Sequence, residues 1–152
     1  MENRFENFTY LIIKLSKLVQ KIKNIEVREY GLRAIHVMCI YHLSKNPDGL
    51  TATELVNLTL EDKAAISRAL LLMKEEDIVN YEPKTYGSII VLSENGKRIA
   101  QEILQKANSA LAAGGISLSS NDRAVMYKSL MAIEENLEEY YKKLIGDQDE
   151  YI

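Results

Sequence analysis

Little in this sequence points to chemistry that needs special side chains. One cysteine, Cys39, stands among 152 residues, which excludes an intrachain disulfide or a multi-cysteine metal site and argues against an oxidising compartment. Cys39 lies between Met38 and Ile40 in the most apolar segment, so it reads as packing; a sensor thiol needs access and a low pKa. His36 and His42 are six residues apart, a spacing at which one helix does not aim both at one metal. The Glu134 to Glu139 cluster lacks the Glu-x-x-His partners of a di-iron bundle. No metal and no cofactor is expected. Phosphate loops, nucleophile elbows and zinc-protease helices are also missing, and Gly96-Lys97-Arg98 lacks the glycine spacing of a phosphate loop, so the chain does not read as an enzyme. No apolar run approaches bilayer length, and the first residues lack a basic flank before an apolar block. A cytoplasmic protein with no membrane partner is the expectation. Asn7-Phe-Thr9 and Asn57-Leu-Thr59 match the glycosylation pattern but mean little without a secretion signal.

What is present is ordinary globular material, 47% apolar and 27% charged, enough for one compact domain or a small domain with an added oligomerisation element. The net charge of −3 hides an asymmetry. Residues 134–152 hold seven acids against Lys142 and Lys143, so the rest of the chain sums to +2, and residues 1–45 alone carry +4. That is a modest basic side, far from a strongly cationic nucleic-acid footprint.

In chain order, Phe8, Leu11, Ile12, Leu15, Leu18, Val19 and Ile22 recur at helical period, which predicts a long first helix over 5–23, with Lys14, Lys17 and Lys21 on another face. A second helix, apolar almost all round, is predicted from Val27 to Lys45, where Asn46-Pro-Asp-Gly49 breaks it. Thr51 and Glu54 have capping-box spacing and open a short helix. Thr59 to Lys74 then reads as one helix, with Thr59 and Asp62 at its start, Ile66, Leu70 and Met73 turned inward, and Lys63, Ser67 and Arg68 turned elsewhere. Two short helices joined by a tight turn are a helix-turn-helix. Asp77-Ile-Val-Asn-Tyr-Glu-Pro83 and Ser88-Ile-Ile-Val-Leu92 flank Lys84-Thr-Tyr-Gly87 as a two-stranded hairpin, with Pro83 tolerated near a strand end or on an edge. Ser93 caps a further helix, ended by Gly114-Gly115. The last helix starts near Ser119 or Ser120 and carries Met126, Leu130, Ile133, Leu137, Tyr140 and Leu144 as a heptad seam. Glu138 with Lys142 and Glu139 with Lys143 are spaced as favourable pairs on its outer face. The predicted fold is mainly α with a small β-hairpin wing: a winged helix-turn-helix plus long N- and C-terminal dimerisation helices.

This order resembles the MarR family of bacterial transcription regulators over nearly the whole chain. Its most specific part comprises Gly49-Leu-Thr-Ala-Thr-Glu-Leu55, Leu60-Glu-Asp-Lys-Ala-Ala-Ile-Ser-Arg-Ala-Leu70, Asp77-Ile-Val79 and Val91-Leu-Ser-Glu-Asn-Gly-Lys97. The resemblance implies that the first and last helices build a symmetric dimer and that the helix from Asp62 to Lys74 enters the major groove. It implies a division into dimerisation helices at 1–26 and 99–146, a DNA-binding region at 27–98 and an acidic tail at 147–152. Effector pockets would lie between the dimerisation helices and the winged region, with no residue assignable from the sequence. There are departures. The family's wing carries an Asp-Arg-Arg-like run, whereas this tip offers only Lys84, whose point charge lacks arginine's planar fork. Asp77 stands where the family prefers glycine, and aspartate tolerates the left-handed conformation better than most residues. Leu71 and Leu72 fill positions often polar in relatives.

DNA recognition needs phosphate contacts for affinity and base-edge contacts for sequence. The candidates are Arg68 for bidentate contact to guanine, Lys63 for phosphate or guanine, Ser67 for either, Ala64 for close approach to a thymine methyl, Thr51 and Thr53 for phosphate, and Lys84 in the wing. Phe8, Ile12, Leu15, Met126, Leu130, Ile133, Leu137 and Tyr140 are the candidate dimer contacts. The expected function is a homodimeric regulator, of repressor type, that binds a pseudo-palindromic operator in double-stranded DNA and responds to a small-molecule effector. The alternative, motivated by the depleted wing and acidic tail, is a winged-helix protein-interaction module without sequence-specific DNA binding.

Overall fold

A computed structural model describes residues 3–149. Helix α1 spans Arg4–Glu26, α2 Ala34–Lys45, α3 Ala52–Thr59, α4 Lys63–Glu75, α5 Glu94–Gly114 and α6 Ser120–Asp149, with strands β1 Val79–Asn80 and β2 Val91–Leu92 between α4 and α5. The chain divides after Ala110 into two compact units, each described by itself below.

In the first unit the core is built around α2. Cys39 and Ile40 of that helix, Leu55 of α3, Ile66 and Met73 of α4, Ile78 and Ile90 beside the strands and Ile103 of α5 are all buried. The helix predicted from Val27 to Lys45 is split. A short 3-10 turn covers Arg28–Tyr30, Gly31 turns left-handed at φ +69°, and α2 starts only at Ala34. Position 33 is an arginine, which cannot accept the orphan amides of a helix start. Two other side chains do: Asn24 Oδ1 accepts from Ala34 N–H at 2.8 Å, and His36 Nδ1 accepts from Arg33 N–H at 2.8 Å. His36 is thereby committed to structure, while His42 Nε2 is buried without a hydrogen-bond partner among the described residues. Among the described residues no three His, Cys, Asp or Glu side chains converge as metal ligands.

The helix-turn-helix differs in register from the reading that starts α4 at Thr59. Thr59 is the last residue of α3, its hydroxyl donating to the Leu55 carbonyl at 2.7 Å. Leu60 adopts φ +60° and closes α3, and Asp62 is the N-cap of α4, accepting from Ala65 N–H at 2.7 Å. Nothing in leucine's chemistry announces a left-handed residue, so the boundary is set by the turn. At its other end α4 closes in a Schellman motif: Ile78 N–H donates to Met73 O at 2.7 Å and Asp77 N–H to Lys74 O at 3.1 Å, with Asp77 at φ +53°.

The hairpin is shorter than predicted. Only Val79 with Leu92 and Asn80 with Val91 pair, and Leu50 adds a third rung by exchanging two hydrogen bonds with Ile90. Pro83 has no N–H for a longer ladder. Gly49 makes the Leu50 rung reachable: its φ is +92°, and a Cβ there would meet Ile90 O at 2.7 Å and Val91 Cγ1 at 2.9 Å.

Ser93 caps α5 as expected, accepting from Gly96 N–H at 2.9 Å. In the second unit Ser119 and Asp122 form a reciprocal cap for α6, the serine hydroxyl receiving Asp122 N–H at 3.1 Å and the carboxylate receiving Ser119 N–H at 3.2 Å. The Ser119 hydroxyl, which also donates to this carboxylate at 2.6 Å, and then the Ser119 N–H hold the Asp122 carboxyl below its usual pKa. Glu138 and Lys142 pair at 3.6 Å, whereas Glu139 with Lys143 is not among the ion pairs of the described residues. Helix α6 continues to Asp149, so the first part of the expected acidic tail is helical, while Glu150 lies outside the described residues. No helix of the described residues is long and apolar enough to cross a membrane.

Candidate nucleic-acid interface

Helix α4 buries one stripe, Ile66, Ala69, Leu70 and Met73, and leaves Lys63, Ala64, Ser67 and Arg68 exposed. The spacing of four puts Lys63 with Ser67, and Ala64 with Arg68, in two adjacent rows of the exposed face. The first row forms one wall of an open trough of about 520 Å³ between α4 and the wing. Thr51, Thr53 and Lys84 line the same trough, so residues picked from three separate stretches come together. Ala64 and Arg68 lie outside it, one step around the helix. None of the ion pairs among the described residues involves Lys63, Arg68 or Lys84.

Thr51 is less available than its position suggests. Its hydroxyl accepts from Glu54 N–H at 3.2 Å and donates to Glu54 Oε2 at 3.0 Å, and its own N–H donates to the same carboxylate at 2.7 Å. These bonds hold the Glu54 carboxyl below the usual range. Electrostatically, Glu54 at the start of α3 and Asp62 at the start of α4 already complement the positive helix ends, which leaves neither end free to attract phosphate. Attraction to a polyanion therefore falls to Lys63, Arg68 and Lys84, with Thr53 and Ser67 as neutral donors.

The wing is fastened to α4 at its base. The Lys74 ammonium donates to the Tyr81 carbonyl and lies 5.1 Å from the centroid of the Tyr81 ring. Burial pushes the Tyr81 phenol pKa up. The tip closes on itself, Glu82 N–H donating to Ser88 Oγ at 2.9 Å and Ser88 N–H to Thr85 O at 3.2 Å. Sequence reasoning, which ranked cations, passed over Tyr81 and Tyr86, although both line the trough. An aromatic inside the tip, Lys84-Thr-Tyr-Gly87, was the available signal.

The dimer candidates are exposed in the single chain: Phe8, Ile12 and Leu15 on α1, and Met126, Leu130, Ile133, Leu137 and Tyr140 on α6. On α1 the exposure extends to Leu11, Ile13, Leu18, Val19, Ile22 and Ile25, more apolar surface than a solvated helix normally carries.

No protein-family model matches the chain, and no curated protein matches it in sequence. Solved structures do match in fold. A MarR protein from Peptoclostridium difficile superposes with a TM-score of 0.81 at 19% identity, covering 95% of each chain. A MarR transcriptional regulator from Methanosarcina mazei Go1 gives 0.79 at 19% identity, covering 88% of this chain and 91% of its own. A MarR-family transcriptional regulator from Rhodococcus sp. RHA1 gives 0.76 at 15% identity over 88% and 96%. The fold is the MarR winged helix.

Proposed function

We propose that the chain is a sequence-specific DNA-binding transcription regulator, a repressor that acts in the cytoplasm as a homodimer on a pseudo-palindromic operator. The observation that carries this reading is the exposed face of α4: Lys63 and Arg68, in no ion pair among the described residues, with Ser67 between them, on the second helix of a helix-turn-helix and beside a wing. Arg68, outside the trough, takes guanine in bidentate fashion, Ala64 admits a thymine methyl, and Lys63, Ser67, Thr53 and Lys84 hold phosphates. Thr51 contributes through the cap that orients Thr53.

In the same reading, residues 1–26 and 99–146 supply the dimerisation helices, and a second copy covers the apolar faces of α1 and α6. A small-molecule effector relieves binding, at residues not assigned. The chain is not an enzyme.

A second reading has support of its own. With Glu54 and Asp62 on both helix starts and a single lysine in the wing tip, the same face suits a protein partner in a module that has lost DNA specificity. Binding of the purified chain to the DNA upstream of its own gene, followed across salt concentration, separates the two. A regulator shows a steep linear fall of log affinity with log salt, and a protein-interaction module shows none.

A further inference from the structure

Tyr86 is 97% exposed at the tip of the wing, so its ring has no packing role in the folded chain. The turn that carries it is nevertheless shaped in advance. Thr85 N–H donates to Glu82 O at 3.2 Å, Ser88 closes the loop through both its hydroxyl and its N–H, and Gly87 reverses the chain at φ +71° with open space around it. Lys74 anchors the base of this wing to α4 through Tyr81.

The trough beside Tyr86 has buried Leu70 and Ile90 among its lining, Lys63 and Ser67 on the α4 side and Lys84 on the wing side. An apolar floor between walls that carry hydroxyls and the ammonium groups of Lys63 and Lys84, against the one carboxylate of Glu82, matches a sugar–phosphate strand, whose deoxyribose faces are apolar and whose phosphates accept hydrogen bonds.

We propose that the trough seats the backbone of one DNA strand and that Tyr86 is the wing's contact to it, its ring against a deoxyribose and its hydroxyl donating to a phosphate oxygen. This rests on the DNA-binding reading above and deepens it. Such contacts fix register on the duplex. A neutral donor also leaves a signature that a lysine does not: it adds affinity without releasing a counterion, so it leaves the salt slope unchanged.

The test uses a fluorescent duplex selected from a randomised pool by the full wild-type chain, titrated across salt. Tyr86→Ala is expected to weaken binding about tenfold at an unchanged salt slope and unchanged thermal midpoint, with Tyr86→Phe recovering part of the loss. Lys84→Ala is expected to lower the slope by about one. Full affinity in Tyr86→Ala, in a chain whose binding Arg68→Ala still weakens, overturns the Tyr86 contact and leaves the DNA reading standing. A reduced slope in Tyr86→Ala also overturns it. If no duplex is retained at any salt, both fall.

Discussion

The Ser93 hydroxyl donates to the backbone carbonyl of Asp77 at 2.6 Å. The same oxygen accepts from Gly96 N–H at 2.9 Å. One hydroxyl thus joins the left-handed turn that ends α4 to the first turn of α5, and it fixes where the wing leaves α4. Ser93→Ala removes a cap and the shorter of two hydrogen bonds to the Asp77 carbonyl, which Asn95 Nδ2 also reaches at 3.3 Å, so a loss of about 1 kcal/mol is expected in urea unfolding. At Asp77, whose φ is +53°, Asp77→Gly is expected to stay within about 1 kcal/mol of wild type, because relief of strain offsets added unfolded-state entropy. Asp77→Val, β-branched at positive φ, is expected to cost about 2 kcal/mol. Equal stabilities for the two variants would remove the turn argument.

Gly96 sits in the first turn of α5 with its Cα against the backbone of Ile78. A Cβ there would overlap Ile78 O and come within 2.9 Å of its carbonyl carbon. Alanine ordinarily gains about 1 kcal/mol over glycine inside a helix. Here the obstacle is backbone, which cannot rotate aside. Gly96→Ala is therefore expected to lose about 1–3 kcal/mol net and, by shifting the wing, to weaken DNA binding; a stabilised variant would show that the two segments separate freely.

The Cys39 thiol is pushed up to about 12 by burial, with the Glu61 charge adding to the effect. Its unfolded value is 9.0. Between these values the unfolded chain has lost the proton and the folded chain keeps it, so this contribution is intact below pH 9 and is lost as pH rises towards 12, at about 1.4 kcal/mol per pH unit. Tyr30, raised to about 12 chiefly by its hydrogen bond to Glu102, titrates in the same window. Comparing wild type with Cys39→Ala isolates the thiol: the variant is expected to be less stable at neutral pH but to fall less steeply above pH 9. At neutral pH the thiol is expected to react with disulfide reagents only on unfolding. Peroxide that released DNA from wild type and not from Cys39→Ala would overturn its packing role.

Caps written in adjacent residues were legible in the sequence. Thr51 with Glu54 and Ser93 act as caps as expected, α6 starts at Ser120 within the expected bounds, and Asp77 is left-handed where its chemistry allows; of the pair Thr59 and Asp62 only Asp62 caps α4. What escaped was set at a distance or by the turn itself. The start of α2 depends on Asn24, ten residues away and on another helix. Leu60 is left-handed without any side-chain reason, which moved the start of α4 to Lys63. The wing closes through Ser88 and Glu82, a side-chain bond that strand periodicity does not reveal. The candidate interface followed the same division. Helical period gave the rows of α4, but the trough that unites them with Thr53 and Lys84 exists only after folding.

Arg68 gives the sharpest test of the base-reading assignment. It is exposed and takes part in no ion pair among the described residues, so Arg68→Ala is expected to leave folding stability within about 0.5 kcal/mol. On the operator the same change is expected to cost about 1–3 kcal/mol and to relax preference at one base pair per half-site. Arg68→Lys keeps the charge and loses the fork, so its salt slope is expected to match wild type while its base preference does not. Unchanged preference in both variants would move the assignment to Lys63 or Ser67.

The proposed dimer would link the apolar faces to the proposed DNA recognition. Leu15 on α1 and Leu130 on α6 are exposed in the single chain, so Leu15→Glu or Leu130→Glu costs the isolated fold little. In a symmetric dimer each substitution appears twice and places unpaired carboxylates in an apolar interface. Either variant is expected to sediment as a monomer at concentrations where wild type is a dimer. In the proposed complex two half-sites about 10 bp apart are held together by the dimer, so the monomeric variants are expected to lose operator affinity while keeping weak, salt-sensitive binding to random duplex. A variant that sediments as a dimer with full operator affinity would place the interface on other residues.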